Sequence, residues 1–276
     1  MARSSNGFKA WKVGRQLKLA ALDPAAQPFA GSSQERNDGR LEELTVEIDR
    51  LQDLLHATGT AGAPHKLLLV LQGMDTSGKD GTARAVFTRC SPLGVRVAAF
   101  KAPNEVERAH DFLWRVHAVV PHAGEIAIFN RSHYEDVLVP FVEGWIDTPQ
   151  RNRRFEQINA FERLLHDSGT RIVKCYLHIS KEEQKRRLQA RLDDPAKRWK
   201  FQMGDLATRA KWKRYLAAYE TALGATSTPH APWYVIPADS KTNRNLMIAT
   251  LVARALADMK LKAPKPDFDP AAIEIV

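Results

Sequence analysis

Cysteine is scarce in this chain, and its two cysteines lie far apart. Cys90 and Cys175 form no CxxC pair, so the sequence suggests neither a disulfide framework nor a cysteine zinc site. No apolar run approaches the roughly 18 residues that a membrane-spanning helix needs, and the basic N-terminus lacks the apolar core of an export signal. We therefore predict a protein of the reducing cytoplasm with no membrane partner.

Acidic residues are fewer than basic ones in an otherwise ordinary composition. The 41 lysines and arginines exceed the 32 acidic residues, which gives a net charge of +9. A positive field attracts polyanions, so nucleotides, polyphosphate and nucleic acid are all candidate ligands. The 44% apolar and 26% charged residues are typical of a chain that folds by itself. Its 276 residues allow one large domain or two small ones, and we favour one domain with appendages.

Five short apolar runs alternate with helical stretches along the chain. Such alternation is typical of a buried parallel sheet that helices cover on both faces. It predicts an α/β fold with three layers and a five-stranded parallel sheet. The predicted strands are residues 66–72, 95–100, 125–130, 171–179 and 233–237.

The single predicted domain, residues 1–276, divides into four segments. Residues 1–40 indicate an extended arm that lies over the surface or is partly disordered, and the period of apolar residues from 41 to about 57 predicts a helix. Asp193-Asp194-Pro195 breaks a long helical region and suggests a helical hairpin. The four segments are an N-terminal arm and helix (1–60), a phosphate-binding core (61–180), a basic helical lid (181–223), and a last strand, helix and tail (224–276).

Three further helices are predicted from local patterns. Asn104 and Glu107 have the spacing of a capping box, which predicts a helix from there through Val119. Residues 80–90, which follow the glycine-rich residues 73–79, can form a helix. Residues 243 to about 261 are predicted as the last helix.

A glycine-rich motif, GMDTSGK, occupies residues 73–79 directly after the first predicted strand. It satisfies the pattern GxxxxGK, and the required strand and helix flank it. In such a loop, backbone N–H groups and the lysine cation bind a phosphate chain. An ordinary glycine-rich turn with a surface lysine is the less favoured alternative. Besides Lys79, the predicted phosphate- or nucleotide-binding residues of this region are Gly73, Met74, Thr76, Ser77, Gly78, Asp80, Gly81 and Thr82. Those elsewhere in the chain are Asn130, Arg191, Lys197 and Lys200.

The metal ligands of this motif are unusual. Asp80 stands where common P-loop NTPases place the serine or threonine that holds Mg²⁺, so the metal must be held another way. Asp75 would be repelled by the neighbouring phosphates unless a metal or an acceptor group lies against it. We assign Asp75 to metal binding or acceptor activation, and a turn-forming aspartate is the alternative.

A second polar motif, NRSHYED, follows the third predicted strand. Asn130 occupies the place of the usual Walker-B carboxylate, so Glu135 or Asp136 could supply the missing charge. Arg131 is a bidentate donor suited to phosphate oxygens, although an ordinary surface salt bridge is the alternative.

Basic side chains are dense between residues 181 and 214. Most of them are predicted to form a solvated face, with Arg187 and Arg191 on one side of a helix. Arg191, Lys197 and Lys200 flank the break and are predicted to close over a polyanion. The histidines lack the spacing of a metal site and are predicted to be structural; they are His110, His117, His122 and His133.

Six ordered sequence blocks resemble the second polyphosphate kinase family, and within it the subgroup that phosphorylates nucleoside mono- and diphosphates. The resemblance implies a three-layer P-loop kinase fold with a helical lid, and functions for Asp75, Lys79, Asn130 and Arg131. Glu135 in SHYED is similar to the subgroup that accepts monophosphates. The blocks are LQGMDTSGKDGT, FKAP, HDFLWR, FNRSHYEDV, DDPAKRWKF and TSTPHAPWYVIPADSK.

The predicted activity is phosphoryl transfer between inorganic polyphosphate and AMP, ADP or other nucleoside mono- and diphosphates. Asp75, Lys79, Arg131 and Glu135 are the predicted catalytic residues. Asp75 and Asp136 are the predicted ligands of Mg²⁺, or of Mn²⁺ in its place. We expect a homo-oligomer, a dimer or a tetramer, with no specific nucleic acid partner. The alternatives are an ATP-dependent kinase of a small acceptor and a non-catalytic polyanion- or RNA-binding protein.

Overall fold

The computed structural model describes residues 6–275, and its centre is a five-stranded sheet. The strands are β1 (Lys66–Gln72), β2 (Val95–Ala99), β3 (Ile126–Asn130), β4 (Thr170–His178) and β5 (Trp233–Pro237). Their order in the sheet is β2-β3-β1-β4-β5, and every neighbouring pair is parallel. This confirms the predicted α/β fold, and the strand boundaries differ from the prediction by at most one residue.

Helices cover the sheet on both faces. The helices are α1 (Gln34–Thr60), α2 (Lys79–Val86), α3 (Glu105–Ala109), α4 (Trp114–His117), α5 (Glu135–Glu143), α6 (Thr148–Asp167), α7 (Lys181–Asp193), α8 (Met203–Ala210), α9 (Trp212–Thr226) and α10 (Lys241–Ala257). Helices α1, α2 and α10 pack together on one face, and α5, α6 and α9 pack together on the other.

The sheet is buried because both faces are covered. Strand β1 is buried from Leu67 to Gln72, and β4 is almost as fully enclosed. Such strands read as continuous apolar runs, which explains why the sequence located them well. Across the described part of the chain, none of the helices has the length and apolar character that crossing a membrane requires.

The N-terminal segment differs from the prediction. Helix α1 begins at Gln34 rather than at 41, because the Ser33 hydroxyl accepts a hydrogen bond from the Arg36 backbone N–H and caps the helix. The residues before α1 lie along the surface, which is one of the two predicted alternatives. Phe8 and Leu19 among them are buried in the core. The prediction for residues 1–5 lies outside the described part of the chain.

The predicted helix from Asn104 through Val119 was wrong. Asn104 and Glu107 do form a capping box, with both hydrogen bonds at 2.9 Å. However, α3 ends at Ala109, where the backbone of His110 is extended. The Asp111 carboxylate accepts a hydrogen bond from the Leu113 backbone N–H, and this local turn interrupts the helix.

Two other predicted helices end early. Helix α2 stops at Val86 rather than at 90, since the Ser91 backbone N–H donates to Gln52 on α1 and the chain turns toward that helix. Helix α10 runs from Lys241 to Ala257, not to 261, and the chain leaves it through a positive φ of 52° at Lys260. Helix α7 ends at Asp193, where the break was predicted.

Candidate active site

The glycine-rich loop connects β1 to α2 and is held in a strained conformation. Thr76 has a φ of 63°, a region that residues other than glycine rarely occupy. Gly78 has a φ of 102°, and a Cβ atom there would lie 2.0 Å from the Arg244 guanidinium. The backbone angle therefore favours glycine at residue 78, and any larger residue would also displace the Arg244 guanidinium.

The Lys79 side chain is buried beneath the loop. Its Nζ donates to the carbonyl oxygens of Gly73 and Met74, at 2.7 and 3.2 Å. Burial and the nearby Arg131 cation lower the pKa of Lys79 to about 8, against the opposing effect of neighbouring carboxylates. An anion that reached this site would therefore favour the charged form of Lys79.

Arg131 joins the two predicted motifs. Its guanidinium contacts the Asp75 carboxylate at 2.7 Å and the Glu135 carboxylate at 3.4 Å. Burial disfavours the arginine charge, but Glu135 and Asp75 outweigh it and raise the Arg131 pKa. The two motifs meet because β1 and β3 are adjacent parallel strands, with Leu71 opposite Asn130. Arg131 also has a positive φ of 61°, which marks it as a constrained position.

Two other predicted residues form separate pairs. The Asn130 amide donates to Asp80 at the start of α2. Asp136 contacts Arg115 at 3.0 Å, so the two predicted metal ligands, Asp75 and Asp136, belong to different ion pairs. Within residues 6–275, no group of three histidine, cysteine or acidic side chains could hold a metal ion by itself.

The remaining loop residues divide into two groups. The Thr76 and Ser77 hydroxyls are buried and have no hydrogen-bond partner among the described residues, which suits a phosphate or metal ligand. Thr82 instead lies at 3.5 Å from the Asn245 side chain of α10, and Gly81 lies beside Arg244. Both are placed to pack α2 against α10.

The three predicted lid cations make local contacts. Arg191 lies 3.4 Å from Asp205 on α8 and donates to the Lys200 carbonyl oxygen at 3.0 Å. Lys197 pairs with the neighbouring Asp194, and the Lys200 ammonium lies over the Trp199 ring. Lys197 and Lys200 are exposed, and no contact with the glycine-rich loop is described for either of them.

Two arginines that the sequence motifs did not indicate donate hydrogen bonds to backbone oxygens of the glycine-rich loop. Arg187 on α7 donates to the carbonyl oxygens of Thr76 and Ser77, at 3.0 and 3.2 Å. Arg244 on α10 donates to the Ser77 oxygen at 3.2 Å. Burial and the nearby Arg187 lower the pKa of Arg244 to about 9. The prediction that Arg187 and Arg191 share a helix face was a weak signal for Arg187. No local sequence pattern indicated Arg244.

Asp205 and Tyr219 are further site residues absent from the prediction. Burial and the Asp75 charge raise the pKa of Asp205, against the opposing effect of Arg191 and Arg131. Burial and the charge of Glu135 raise the pKa of the Tyr219 phenol well above its ordinary value. Both lie on the basic helical segment, residues 181–226, where the dense positive charge gave no reason to select them.

A family model described as polyphosphate kinase 2 (PPK2) matches residues 31–264 of the chain. The chain belongs to the polyphosphate kinase 2 family. The match includes β1, the glycine-rich loop, the turn after β3 and the basic helical segment.

Similar proteins cover nearly the whole length of this family member. It is 48% identical to an AMP/ADP-polyphosphate phosphotransferase of Meiothermus ruber, over 91% of this chain and 93% of that protein. An ADP-polyphosphate phosphotransferase of Rhodopseudomonas palustris is 38% identical, over 91% of this chain and 90% of that protein. The crystal structure of polyphosphate kinase 2 from Arthrobacter aurescens TC1 has a TM-score of 0.93 and 45% identity, covering 96% and 94% of the two chains.

In this polyphosphate kinase 2 chain, a buried network lies directly beneath the Arg131 turn. The Lys174 ammonium donates to Glu162 at 2.6 Å and to the Tyr134 hydroxyl and the Thr226 carbonyl oxygen, both at 2.8 Å. His133 contacts the same Glu162 at 3.3 Å. The network connects β4, α6 and the end of α9 to the turn, and it gives His133 a place in the core.

Proposed function

We propose that the chain transfers a phosphoryl group between inorganic polyphosphate and AMP, ADP or other nucleoside mono- and diphosphates, giving ADP or ATP. One observation carries this proposal: a buried P-loop lysine lies beside Arg131, which bridges a carboxylate of the loop after β1 and a carboxylate at the start of α5. The names of the M. ruber and R. palustris relatives support the substrates. Both are polyphosphate phosphotransferases.

The donor phosphates fit the glycine-rich loop. The first backbone N–H groups of α2 have no partner within the helix and favour an anion at its N-terminus. Lys79 and Arg131 supply two cations at the same place, where charge spreads over the oxygens of the transferring group. We infer that these groups orient the chain end and stabilise the transition state for in-line transfer.

A divalent metal fits the carboxylates of the site. Mg²⁺ is commonly held by one or two carboxylates together with substrate phosphates, so a three-ligand protein cage is not needed. Asp75 is the carboxylate within the loop, and the unpartnered hydroxyls of Thr76 and Ser77 are the neutral oxygens nearest to it in sequence. We assign Mg²⁺, with Mn²⁺ as an alternative, to Asp75, where it would neutralise phosphate charge. Asp136 is the weaker candidate because its partner Arg115 is buried, whereas the Arg131 side chain that pairs with Asp75 is partly exposed.

The acceptor needs little base catalysis. A nucleotide phosphate oxygen is already ionised at neutral pH, so Asp75 is better suited to positioning than to proton removal. Glu135 lies within the Arg131 network and is only partly exposed. We infer that Glu135 helps to position a monophosphate acceptor, and that Arg191, Lys197 and Lys200 on the basic helical segment close over the bound polyanion.

The assembly and the cellular setting complete the proposal. We propose that residues 1–276 act as one kinase domain in a cytoplasmic homo-oligomer, a dimer or a tetramer, without a specific nucleic acid partner. The absence of cysteine pairs in the sequence supports the reducing compartment.

The deciding experiment incubates the protein with Mg²⁺, long-chain polyphosphate and one nucleotide at a time: AMP, ADP, GMP or GDP. We expect new di- and triphosphates by chromatography. Lys79→Ala should lower kcat/KM by roughly a thousandfold, since it removes a transition-state cation. Lys213→Ala, an exposed lysine of the same basic segment, is the matched control and should retain the activity.

Two outcomes would overturn this function. Phosphorylation of AMP by ATP with no requirement for polyphosphate would identify an ATP-dependent kinase. Native activity in Lys79→Ala would show that the loop lysine does not serve the reaction.

Glu135→Asn tests the role in acceptor choice. We expect turnover of AMP to fall about a hundredfold and turnover of ADP to change much less, because only the shorter acceptor depends on the carboxylate. Product analysis with each acceptor measures this. Equal losses with AMP and ADP would remove Glu135 from acceptor selection.

A further inference from the structure

The N-terminal segment carries a regular row of cations. We call residues 6–22 the basic strap. Its cations, Lys9, Lys12, Arg15 and Lys18, recur every third residue, and the strap contains no acidic residue. The strap lies outside residues 31–264, which match the family model. The activity proposed above assigns no role to it.

The strap is fixed to the body of the protein. Phe8, Val13 and Leu19 are buried, and the Val13 backbone N–H donates to the Trp233 carbonyl oxygen at 2.9 Å. Lys12 forms an antiparallel bridge with Tyr234 on β5, the edge strand of the sheet. The strap therefore covers that edge and presents its cations from a constrained backbone.

The strap begins near the start of β5 and leads toward the phosphate end of the sheet. The Leu22 carbonyl oxygen lies 3.1 Å from His178 at the end of β4, and the Asp239 backbone N–H donates to the Pro24 oxygen at 3.1 Å. Arg187 donates both to the Asp239 oxygen and to Thr76 in the glycine-rich loop. The far end of the strap thus lies close to the residues that hold that loop.

The four strap cations are available to a ligand. All four side chains are exposed, and none has an ion pair or a side-chain hydrogen bond described within residues 6–275. This contrasts with the basic helical segment, where Arg187 pairs with Glu183 and Arg191 with Asp205. Like charges on a fixed backbone repel one another, and a polyanion relieves that repulsion.

A cavity marks the first part of the strap. It has a volume of about 440 Å³ and is lined by Lys9, Lys12, Arg171 and Arg254, with Asp258 as the carboxylate among them. Asp258 pairs with Arg171 at 3.2 Å, so the positive charge exceeds the negative charge there. The cavity lies at the beginning of β4 and β5, whereas the glycine-rich loop lies beyond the end of β1.

We propose that the basic strap binds the distal part of the polyphosphate chain whose end lies in the glycine-rich loop. This inference rests on the proposed function. The stretch from Lys12 to Lys18 bends at Arg15 and Gln16 and spans at most about 20 Å, so it offers a track for several phosphates. A phosphate chain has charge but no bases, which suits a row of exposed cations. An RNA strand would be better matched by exposed aromatic platforms, and Trp11 is partly buried.

The test compares two charge-matched variants. The strap variant is K9Q/K12Q/R15Q/K18Q, which leaves the buried anchors unchanged. The control removes four exposed cations elsewhere and is R36Q/R153Q/K262Q/K265Q. The KM for linear hexaphosphate and for long-chain polyphosphate is measured for each variant, with thermal unfolding as a check of the fold.

Long chains should distinguish the variants. We expect the strap variant to raise the KM for long-chain polyphosphate roughly tenfold, to reduce the salt dependence of binding, and to leave the KM for hexaphosphate nearly unchanged. The control variant should change both values by less than about twofold. Equal effects on short and long chains, or no effect on either, would overturn the strap proposal.

Direct binding separates this proposal from the proposed function. Calorimetry with long-chain polyphosphate needs no turnover, so a lower affinity in the strap variant supports the strap even if phosphoryl transfer to nucleotides fails. An unchanged affinity overturns the strap while leaving the transfer reaction in place. Single-stranded RNA that competes as strongly as polyphosphate of equal charge would assign the strap to nucleic acid instead.

Discussion

Two charged networks extend from the same turn after β3, and they differ in their access to solvent. In the open network, Arg131 pairs with Asp75 and Glu135, and its side chain is 42% exposed. In the closed network, Glu162 and Lys174 pair beneath the turn and are fully buried. Charges that are paired in a closed space serve the fold, whereas partly exposed charges at a loop remain available to a ligand.

The two buried lysines show the difference most clearly. Lys174 has three acceptors, which matches the three donors of an ammonium group. Lys79 donates to two backbone oxygens and contacts no carboxylate among the described hydrogen bonds and ion pairs. Burial disfavours the Glu162 charge, but Lys174 and His133 keep its pKa below the ordinary value. Burial still lowers the pKa of Lys174, but the Glu162 charge is balanced by residues of the fold without a ligand.

The largest expected effect comes from opening the closed network. Lys174→Met should lower the free energy of unfolding by about 3–5 kcal/mol, because it leaves Glu162 buried without its cation. Urea denaturation measures this change. The double variant E162L/K174M removes both charges and should recover most of the loss. A single variant as stable as the native protein would show that the pair is not structurally important.

The next effect comes from the open network. Arg131→Gln should lower kcat about a hundredfold, because under the proposed function it removes a donor to the transferring phosphoryl group. Since the Arg131 pairs are partly exposed, the free energy of unfolding should change by less than about 1 kcal/mol. Arg163→Gln, which breaks an exposed pair with Asp167, is the control and should preserve both quantities. A stability loss as large as that of Lys174→Met would show that the two networks act as one.

The smallest expected effect is a pH dependence specific to Lys79. Its pKa of about 8 lies below the ordinary value of 10.5, so the free protein loses the ammonium charge as the pH rises through 8. Bound phosphates favour the charged form. We expect kcat/KM for the phosphate donor to fall up to tenfold per pH unit above about 8, while kcat falls only at higher pH.

The free energy of unfolding should increase over the pH range in which kcat/KM falls. The unfolded chain keeps the lysine proton up to about pH 10.5, so Lys79 makes the folded state relatively more stable as the pH rises from about 8 to 10.5. The residual activity of Lys79→Arg should lack the alkaline fall in kcat/KM, because arginine stays charged. If kcat and kcat/KM decline together near pH 8, the titrating group is not one that phosphate binding protects.

Local sequence patterns predicted the elements whose causes are local. The buried strands appear as apolar runs, and the capping box at Asn104 depends on two side chains three residues apart. The extent of the helix after Asn104 was missed because Asp111 forms a turn with the backbone, and the early end of α2 depends on Gln52 of another helix. Where a helix ends can thus depend on a competing local turn or on a residue of another helix, and the periodicity of apolar residues indicates neither.

The site residues show the same difference between local and long-range causes. The motifs indicated Asp75, Lys79, Arg131 and Glu135 as candidates, and the fold brings Asp75, Arg131 and Glu135 into one ion-pair network beside Lys79. Arg187 and Arg244 were not predicted as contacts of the loop, because each reaches it from a helix more than 100 residues away. A long-range contact of this kind has no local signature.

The sequence by itself determined strand β1, the glycine-rich loop and helix α2, because their hydrogen bonds and backbone angles depend mainly on neighbouring residues. It also determined the repeating cations of the strap. Only the tertiary structure decided which charges are enclosed and which stay available. Lys174 and Lys79 are both buried lysines, but the energy of a buried charge depends on its partners, here Glu162 of helix α6 for one and carbonyl groups of its own loop for the other.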